Sequence, residues 1–249
     1  MLTGKTCLVT GASSGLGYRF AQVLAEKGAH VAVAARRTDN LADLVGAIEQ
    51  TGGQATAFAF DALRPDAPEI LIEEIEANIG VPDILINNAG ISLPAAAHKA
   101  TIEQFDQTMA VNLRAPWQLS GLCAARWISA KSGGTIVNVA SILSRRVGKG
   151  VSVYSMSKAA ILHMTAGHAL EWAPFGIRVN ALCPGYIRTE INDAFWDTKL
   201  GQAELARMPC GRVGTPSDLD TALLFLVDPM SRFVNGESVT VDDAQSWAI

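Results

Sequence analysis

Cysteine is scarce in this chain and scattered. Cys7, Cys123, Cys183 and Cys210 stand far apart with no metal-ligand spacing, so they outline neither a zinc module nor a disulfide framework. They read as reduced thiols, and the chain as cytoplasmic. Long apolar runs are missing: none reaches the ~18 residues of a membrane span. The opening MLTGKTCLVTG enters a strand-like run at once and leaves no room for a signal peptide. An excess of one charge is missing too. The formal charge is −4 at pH 7, and basic residues are dispersed apart from Arg36–Arg37 and the group Arg145, Arg146 and Lys149, which gives no reason to expect nucleic acid. No repeat, low-complexity tract or linker breaks the chain. What it does have is apolar material, 49% of residues, enough for a large core.

Strand-like and helix-like stretches alternate from end to end. KTCLVT (5–10), HVAVAA (30–35), QATAFAF (54–60), PDILINNAG (82–90), GTIVNVAS (134–141), GIRVNALCPG (176–185) and a stretch near 237–241 read as strands. Between them lie helical patterns: GYRFAQVLAEKG, LADLVGAIEQTGG (41–53), PEILIEEIEANIG (68–80), a stretch over 101–131 interrupted at Pro116, a long helix over 153–173 and one near 216–227. This order predicts an α/β chain: a doubly wound parallel sheet of about seven strands with helices on both faces, in three layers. The region 186–215, carrying Phe195 and Trp196, reads as irregular. Loops of that length are often functional, which suggests a flap on a single domain spanning 1–249.

Two stretches carry chemistry. TGASSGLG (10–17) follows the first strand and opens a helix, with glycines at 11, 15 and 17. Gly11 permits a sharp turn, and Gly15 and Gly17 permit close approach to the backbone, where free helix N–H groups favour a phosphate. An ordinary strand–helix turn reads the same way in isolation. YSMSK (154–158) sets Tyr154 one helical turn before Lys158, on the same face. A phenol ordinarily keeps its proton to about pH 10, and a nearby ammonium favours the phenolate. That makes Tyr154 a candidate proton donor, with simple polar decoration of a helix as the alternative.

The G-x-x-x-G-x-G turn, NNAG (87–90), Ser141 thirteen positions before Tyr154, and YSMSK, in this order along the whole chain, resemble the short-chain dehydrogenase/reductases of single-domain type. Among these, 3-oxoacyl-thioester reductases are the most similar. The resemblance implies a Rossmann fold and a catalytic set of Asn112, Ser141, Tyr154 and Lys158. Ser141 would hold the substrate oxygen, Tyr154 would act as general acid, Lys158 would lower the phenol pKa and bind the nicotinamide ribose, and Asn112 would hold a proton-relay water. It places Gly11, Ser13, Ser14, Gly15, Leu16 and Gly17 around the dinucleotide phosphates. Asp61 and Ala62 fall at the adenine, although Asp61 reads equally as a turn cap. Asn88, Ala89 and Gly90 would line the adenosine side and steady the sheet. Pro184, Gly185, Ile187 and Thr189 would border the nicotinamide carboxamide and pyrophosphate. Where NAD-selective relatives carry an acid at the end of the second strand, this chain has Ala35 followed by Arg36 and Arg37. NADP(H) is therefore expected over NAD(H), with Arg36 as the main contact to the 2′-phosphate and Arg37 as helper. A solvated basic pair is the other reading.

The implied reaction is hydride transfer between the nicotinamide and a ketone or secondary alcohol, such as a 3-oxoacyl thioester. A sugar, polyol or steroid-like alcohol dehydrogenase, or a non-catalytic NADP-binding regulator, are the alternatives. The resemblance also implies a homotetramer. Arg145, Arg146 and Lys149 would attract an anionic substrate or form a solvated loop, and Phe195 and Trp196 would cover an apolar chain or pack the flap down. The chain departs from its resemblance at three places. The glycine turn lacks a basic residue. Phe175 occupies a position that is basic in relatives docking the acyl carrier protein. VDDAQS (241–246) puts Asp243 and Ala244 where many relatives have two glycines.

Overall fold

The computed structural model describes residues 2–190 and 192–247. Its strands are β1 (Thr6–Thr10), β2 (His30–Ala35), β3 (Gln54–Ala59), β4 (Ile84–Asn87), β5 (Gly134–Val139), β6 (Ile177–Pro184) and β7 (Ser238–Val241). They form one sheet in the order β3-β2-β1-β4-β5-β6-β7, every pair parallel. The helices are α1 (Gly15–Glu26), α2 (Thr38–Gln50), α3 (Ala67–Ile79), α4 (Ile102–Met109), α5 (Ala115–Ala130), α6 (Ser152–Trp172), α7 (Asp193–Trp196), α8 (Lys199–Leu205) and α9 (Asp220–Val227).

Strand alternation builds the three layers. Cys7 and Val9 of β1 join Phe20, Leu24, Leu41, Leu44 and Leu223 in a core under α1, α2 and α9. Leu8, between them, turns to the opposite core with Leu71, Ile75, Leu119 and Trp127 from α3 and α5. Because both faces are covered, β6 is buried along its whole length. The chain order reverses direction between β1 and β4, and such a switch point opens a crevice at the strands' carboxyl ends. The loops after β1, β2, β4, β5 and β6 meet there.

Two expectations are corrected. The break in 101–131 is not at Pro116. It is a π-helical turn, Ala110–Arg114, and Pro116 lies in the first turn of α5, where its missing N–H is harmless. The region 186–215 is not irregular throughout, because α7 and α8 lie within it. A Thr198 side chain caps α8 by accepting from Gly201 N at 3.1 Å, a local signal that composition alone does not reveal. No described helix is long and apolar enough to cross a membrane.

Candidate active site

The turn after β1 is clamped from behind. Asn88 Nδ2 donates to the carbonyls of Thr10 and Gly11 at 2.9 and 3.3 Å, and the N–H groups of Asn88 and Ala89 both donate to Thr10 Oγ1 at 3.1 Å. Gly11 and Gly15 take φ of +67° and +57°, a left-handed region that suits glycine. A methyl on Gly17 would lie 2.3 Å from the Gly11 carbonyl oxygen, so α1 packs against the turn with no room for a side chain. The Ser14 side chain does not cap α1, so the first-turn N–H groups have no side-chain acceptor. Thr189 reaches over this turn, its methyl 3.3 Å from where a Gly15 Cβ would stand.

The two arginines after β2 take different places. Arg37 is tied to the turn, donating from Nε to Ser13 Oγ at 3.2 Å and from Nη2 to Ser14 Oγ at 2.5 Å. Arg36 lines a cleft of about 320 Å³ with Phe60, Asp61, Arg64 and Ile70. Asp61 caps its own turn, accepting from Leu63 N at 3.1 Å, and the adjoining Ala62 is buried. Uncapped N–H groups, glycines in the left-handed region, Arg37 on the turn and Arg36 at the cleft fit a phosphorylated dinucleotide.

The catalytic candidates converge where β5 ends. Ser141 leaves β5 extended, and its Oγ accepts from Leu143 N at 3.1 Å while Ser144 Oγ accepts from Ser141 N at 3.3 Å. Lys158, on α6, is 5% exposed, and its Nζ donates to the Val139 carbonyl at 2.8 Å. Nζ also lies 5.8 Å from the centre of the Tyr154 ring. A methyl on Gly90 would stand 3.4 Å from Nζ and 3.5 Å from Asn112 Oδ1, so these groups share one corner. Asn112 projects from the π-helical turn, a frequent device at functional sites. It brackets Ile91, accepting from its N–H at 2.8 Å and donating to its carbonyl at 2.9 Å, and donates to Ser157 Oγ at 3.0 Å.

The electrostatics differ from the simple pairing of phenol and ammonium. Burial pushes the Tyr154 phenol up from its ordinary value, a hydrogen bond with the Ser141 side chain opposes this, and the neighbouring Tyr186 adds to the rise. Burial lowers Lys158 itself to about 8, with Cys183 nearby working the other way. The ammonium points to a backbone carbonyl rather than the phenolic oxygen, so in the chain alone desolvation decides both pKa values.

Over residues 11–243 the chain matches the family described as enoyl-(acyl carrier protein) reductase. It is 35% identical to gluconate 5-dehydrogenase of Gluconobacter oxydans, covering 97% of this chain and 94% of the relative. It is 32% identical to a 3-oxoacyl-[acyl-carrier-protein] reductase of Thermotoga maritima, covering 97% of each. The chain belongs to the short-chain dehydrogenase/reductase family. It is an oxidoreductase of that family. Among solved structures, a gluconate 5-dehydrogenase from Burkholderia cenocepacia in complex with NADP and tartrate superposes with a TM-score of 0.93 at 32% identity, covering 100% of this chain and 97% of that one.

In this short-chain oxidoreductase several of the expected residues also make contacts within the chain. The Asn88 side chain holds the glycine turn, and buried Ile187 forms a bridge with Gly214. Pro184 ends β6, and Gly185 donates to the Val241 carbonyl at 3.0 Å. Arg145 donates to Ser238 Oγ at the start of β7, and Arg146 donates to the Ser246 carbonyl in the last turn. His168 stacks on Trp172 at 4.1 Å, in keeping with a structural histidine. The sequence reading missed Ser144, Ser157, Tyr186 and Gln245. Of these only Tyr186 had a signal, a polar aromatic directly after the Pro184–Gly185 strand end.

Proposed function

We propose that this chain is an NADP(H)-dependent oxidoreductase working on a ketone or its secondary alcohol, with Tyr154, Ser141 and Lys158 as reacting residues and Asn112 as their positioning partner. The observation that carries this reading is the convergence of those side chains at the end of β5, one corner away from the clamped glycine turn. A nicotinamide held there supplies or takes the hydride. Ser141 holds the carbonyl oxygen through its hydroxyl, and Tyr154 delivers the proton to that oxygen as negative charge develops. Lys158 anchors ribose hydroxyls and keeps positive charge beside the phenol. Oxidation runs the same path backwards and is favoured at higher pH, where the phenol loses its proton more readily.

Arg36 and Arg37 support NADP(H) over NAD(H), as does the NADP in the similar Burkholderia structure. A 3-oxoacyl thioester is one substrate class. A sugar acid or polyol is the second, and two observations favour it: a relative named for gluconate, and the engagement of Arg145 with β7 and of Arg146 with the last turn, away from an anionic acyl carrier. The segment over α7 and α8 serves as the substrate flap of a single domain. Exposed Trp117, Leu170, Phe175, Met230 and Phe233 support self-association as a homotetramer, and four free cysteines support a reducing, cytoplasmic setting.

Fluorescence titration with NADPH and NADH tests the cofactor assignment. NADPH is expected to bind at least tenfold tighter, with Arg36→Ala and Arg37→Ala each removing that advantage. Equal binding sinks it. Tyr154→Phe is expected to lower kcat about 10²- to 10⁴-fold with NADPH affinity intact, and unchanged turnover would remove Tyr154 from the chemistry.

A further inference from the structure

Trp196 ends α7 and is only 3% exposed, yet its indole Nε1 has no hydrogen-bond partner among the described residues. Indole nitrogen is a donor only, and a buried donor left unpaired costs about 1–3 kcal/mol. Native proteins seldom keep such a group unpaired, and where they do an ordered water, an ion or a ligand commonly supplies the partner.

Its neighbours place it at the reacting end of the site. The Tyr186 ring packs edge-on against Trp196 with centroids 5.5 Å apart, and Phe195 packs on it at 5.1 Å. Tyr186 directly follows Pro184–Gly185 at the end of β6, and that strand end lies beside the end of β5 that carries Ser141: Val139 pairs with Leu182, and Ala140 N donates to the Leu182 carbonyl at 2.8 Å. Its backbone is pinned from two sides: the N–H donates to Gln245 Oε1 at 2.7 Å, and the carbonyl accepts from Gly214 N at 3.0 Å. Trp196 is fixed in turn by Gln202 Nε2, which donates to its carbonyl at 2.7 Å. A half-buried phenol and a buried, unpaired indole N–H, both held still, are thus packed together next to the end of β5. An apolar lid would need neither polar group.

We propose that the Tyr186 hydroxyl and the Trp196 indole N–H form a subsite for a substrate hydroxyl next to the reacting carbon, so that the substrate is a polyhydroxylated ketone or its alcohol rather than a plain acyl chain. A hydroxyl suits this pair because it accepts from the indole and exchanges a hydrogen bond with the phenol, whereas a methylene satisfies neither. The inference rests on the reading of Ser141 and Tyr154 as the groups that meet the carbonyl.

The test is NADPH-dependent reduction of 5-dehydro-D-gluconate, hexan-2-one and acetoacetyl-coenzyme A by the wild type, Trp196→Phe and Tyr186→Phe. Both variants keep the ring and remove one donor. The wild type is expected to favour 5-dehydro-D-gluconate over hexan-2-one by about 100-fold or more in kcat/KM. Trp196→Phe should cut activity on the hydroxylated ketone about 10- to 100-fold, change hexan-2-one less than about threefold, and leave NADPH titration unaltered. Tyr186→Phe should act in the same direction and stands alone if Trp196→Phe does not fold. Equal losses on all three ketones, or a wild type that prefers acetoacetyl-coenzyme A, would overturn the subsite. Failure to bind NADPH, or to reduce any of the ketones, would instead overturn the functional reading beneath it.

Discussion

The two ends of the site are built by opposite means. At the glycine turn, left-handed φ falls on Gly11 and Gly15, and Thr10, Asn88, Ser13, Ser14 and Arg37 are joined by hydrogen bonds within the chain. At the other end, α7 and α8 are short; Trp196 anchors them, and on the outside exposed ion pairs join them to the chain before, Arg188 to Asp193 at 2.7 Å and to Asp197 at 2.9 Å. There the left-handed positions fall on Asp243 and Ala244, and the indole of Trp196 is unpaired. Exposed ion pairs contribute about 0–1 kcal/mol each, and segments held by them open easily. The lesson is one of construction: the glycine turn is cross-linked by hydrogen bonds between distant parts of the chain, whereas α7 and α8 rest on short-range contacts within one segment.

Two alanine substitutions of equal steric violence would break or sharpen that contrast. In Gly17→Ala the new methyl meets the Gly11 carbonyl oxygen at 2.3 Å and Asn88 Nδ2 at 2.5 Å, so the turn and α1 must separate. Stability should fall by about 3 kcal/mol or more, with dinucleotide binding lost. In Gly201→Ala the methyl meets the Phe195 carbonyl oxygen at 2.1 Å and Trp196 Cα at 2.7 Å. Only α7 and α8 need yield, so thermal unfolding should move little and NADPH titration should be unchanged while kcat/KM drops. A common fall in Tm for both variants would mean that the flap is part of the cooperative core.

The same contrast explains what could be read in the sequence. The alternation of strands and helices, the parallel sheet and the glycine turn were legible because each rests on local pattern: apolar runs, short periodic helices, and glycines at a strand–helix turn. Ser141, Tyr154 and Lys158 were legible by spacing, since a strand end and one helix face deliver them together. The pKa balance was not, because it depends on how deeply tertiary packing buries Lys158 and on where Nζ points. Nor was the role of Arg37, whose partners Ser13 and Ser14 lie on a neighbouring loop. The segment 186–215 was misread as irregular because α7 and α8 are too short for periodicity to register. Tyr186 and Trp196 meet only through tertiary structure, so neither residue type nor spacing announces them.

Lys158, between the two ends, is held at the cost of desolvation, and pH reads that cost. Its pKa falls from an ordinary 10.5 to about 8 in the folded chain. Between these values the unfolded chain binds more protons than the folded one, so raising pH stabilises the fold across that window. The full effect is about 3 kcal/mol as an order of magnitude. Lys158→Met removes it. The advantage of the methionine variant over the wild type should be greatest below pH 8 and shrink steadily as pH rises toward 10. Parallel stability curves from pH 7 to 10, measured by urea unfolding, would mean that the ammonium is not destabilised by its site.

The smallest effect expected lies in the last turn, where two residues adopt glycine's conformation without being glycine. Asp243 has φ +50° and Ala244 φ +64°, a region costing a side-chain-bearing residue about 1 kcal/mol. Asp243 has compensation: its carboxylate pairs with Arg212 Nε at 2.8 Å and accepts from Cys210 Sγ at 3.2 Å, joining the last turn to the segment after α8. The methyl of Ala244 has no polar contact to offer in return. Ala244→Gly should therefore raise stability by about 0.5–1 kcal/mol, after allowing for glycine's extra freedom when unfolded. Asp243→Gly should leave stability nearly unchanged, because relief of backbone strain is offset by loss of the Arg212 pair. Raising the salt concentration separates the two. It screens the pair that Asp243 makes and so should move Asp243→Gly toward the stabilised side of wild type, while the advantage of Ala244→Gly stays fixed. If Ala244→Gly proves destabilising, the left-handed turn is held by packing from outside this chain rather than by the turn itself.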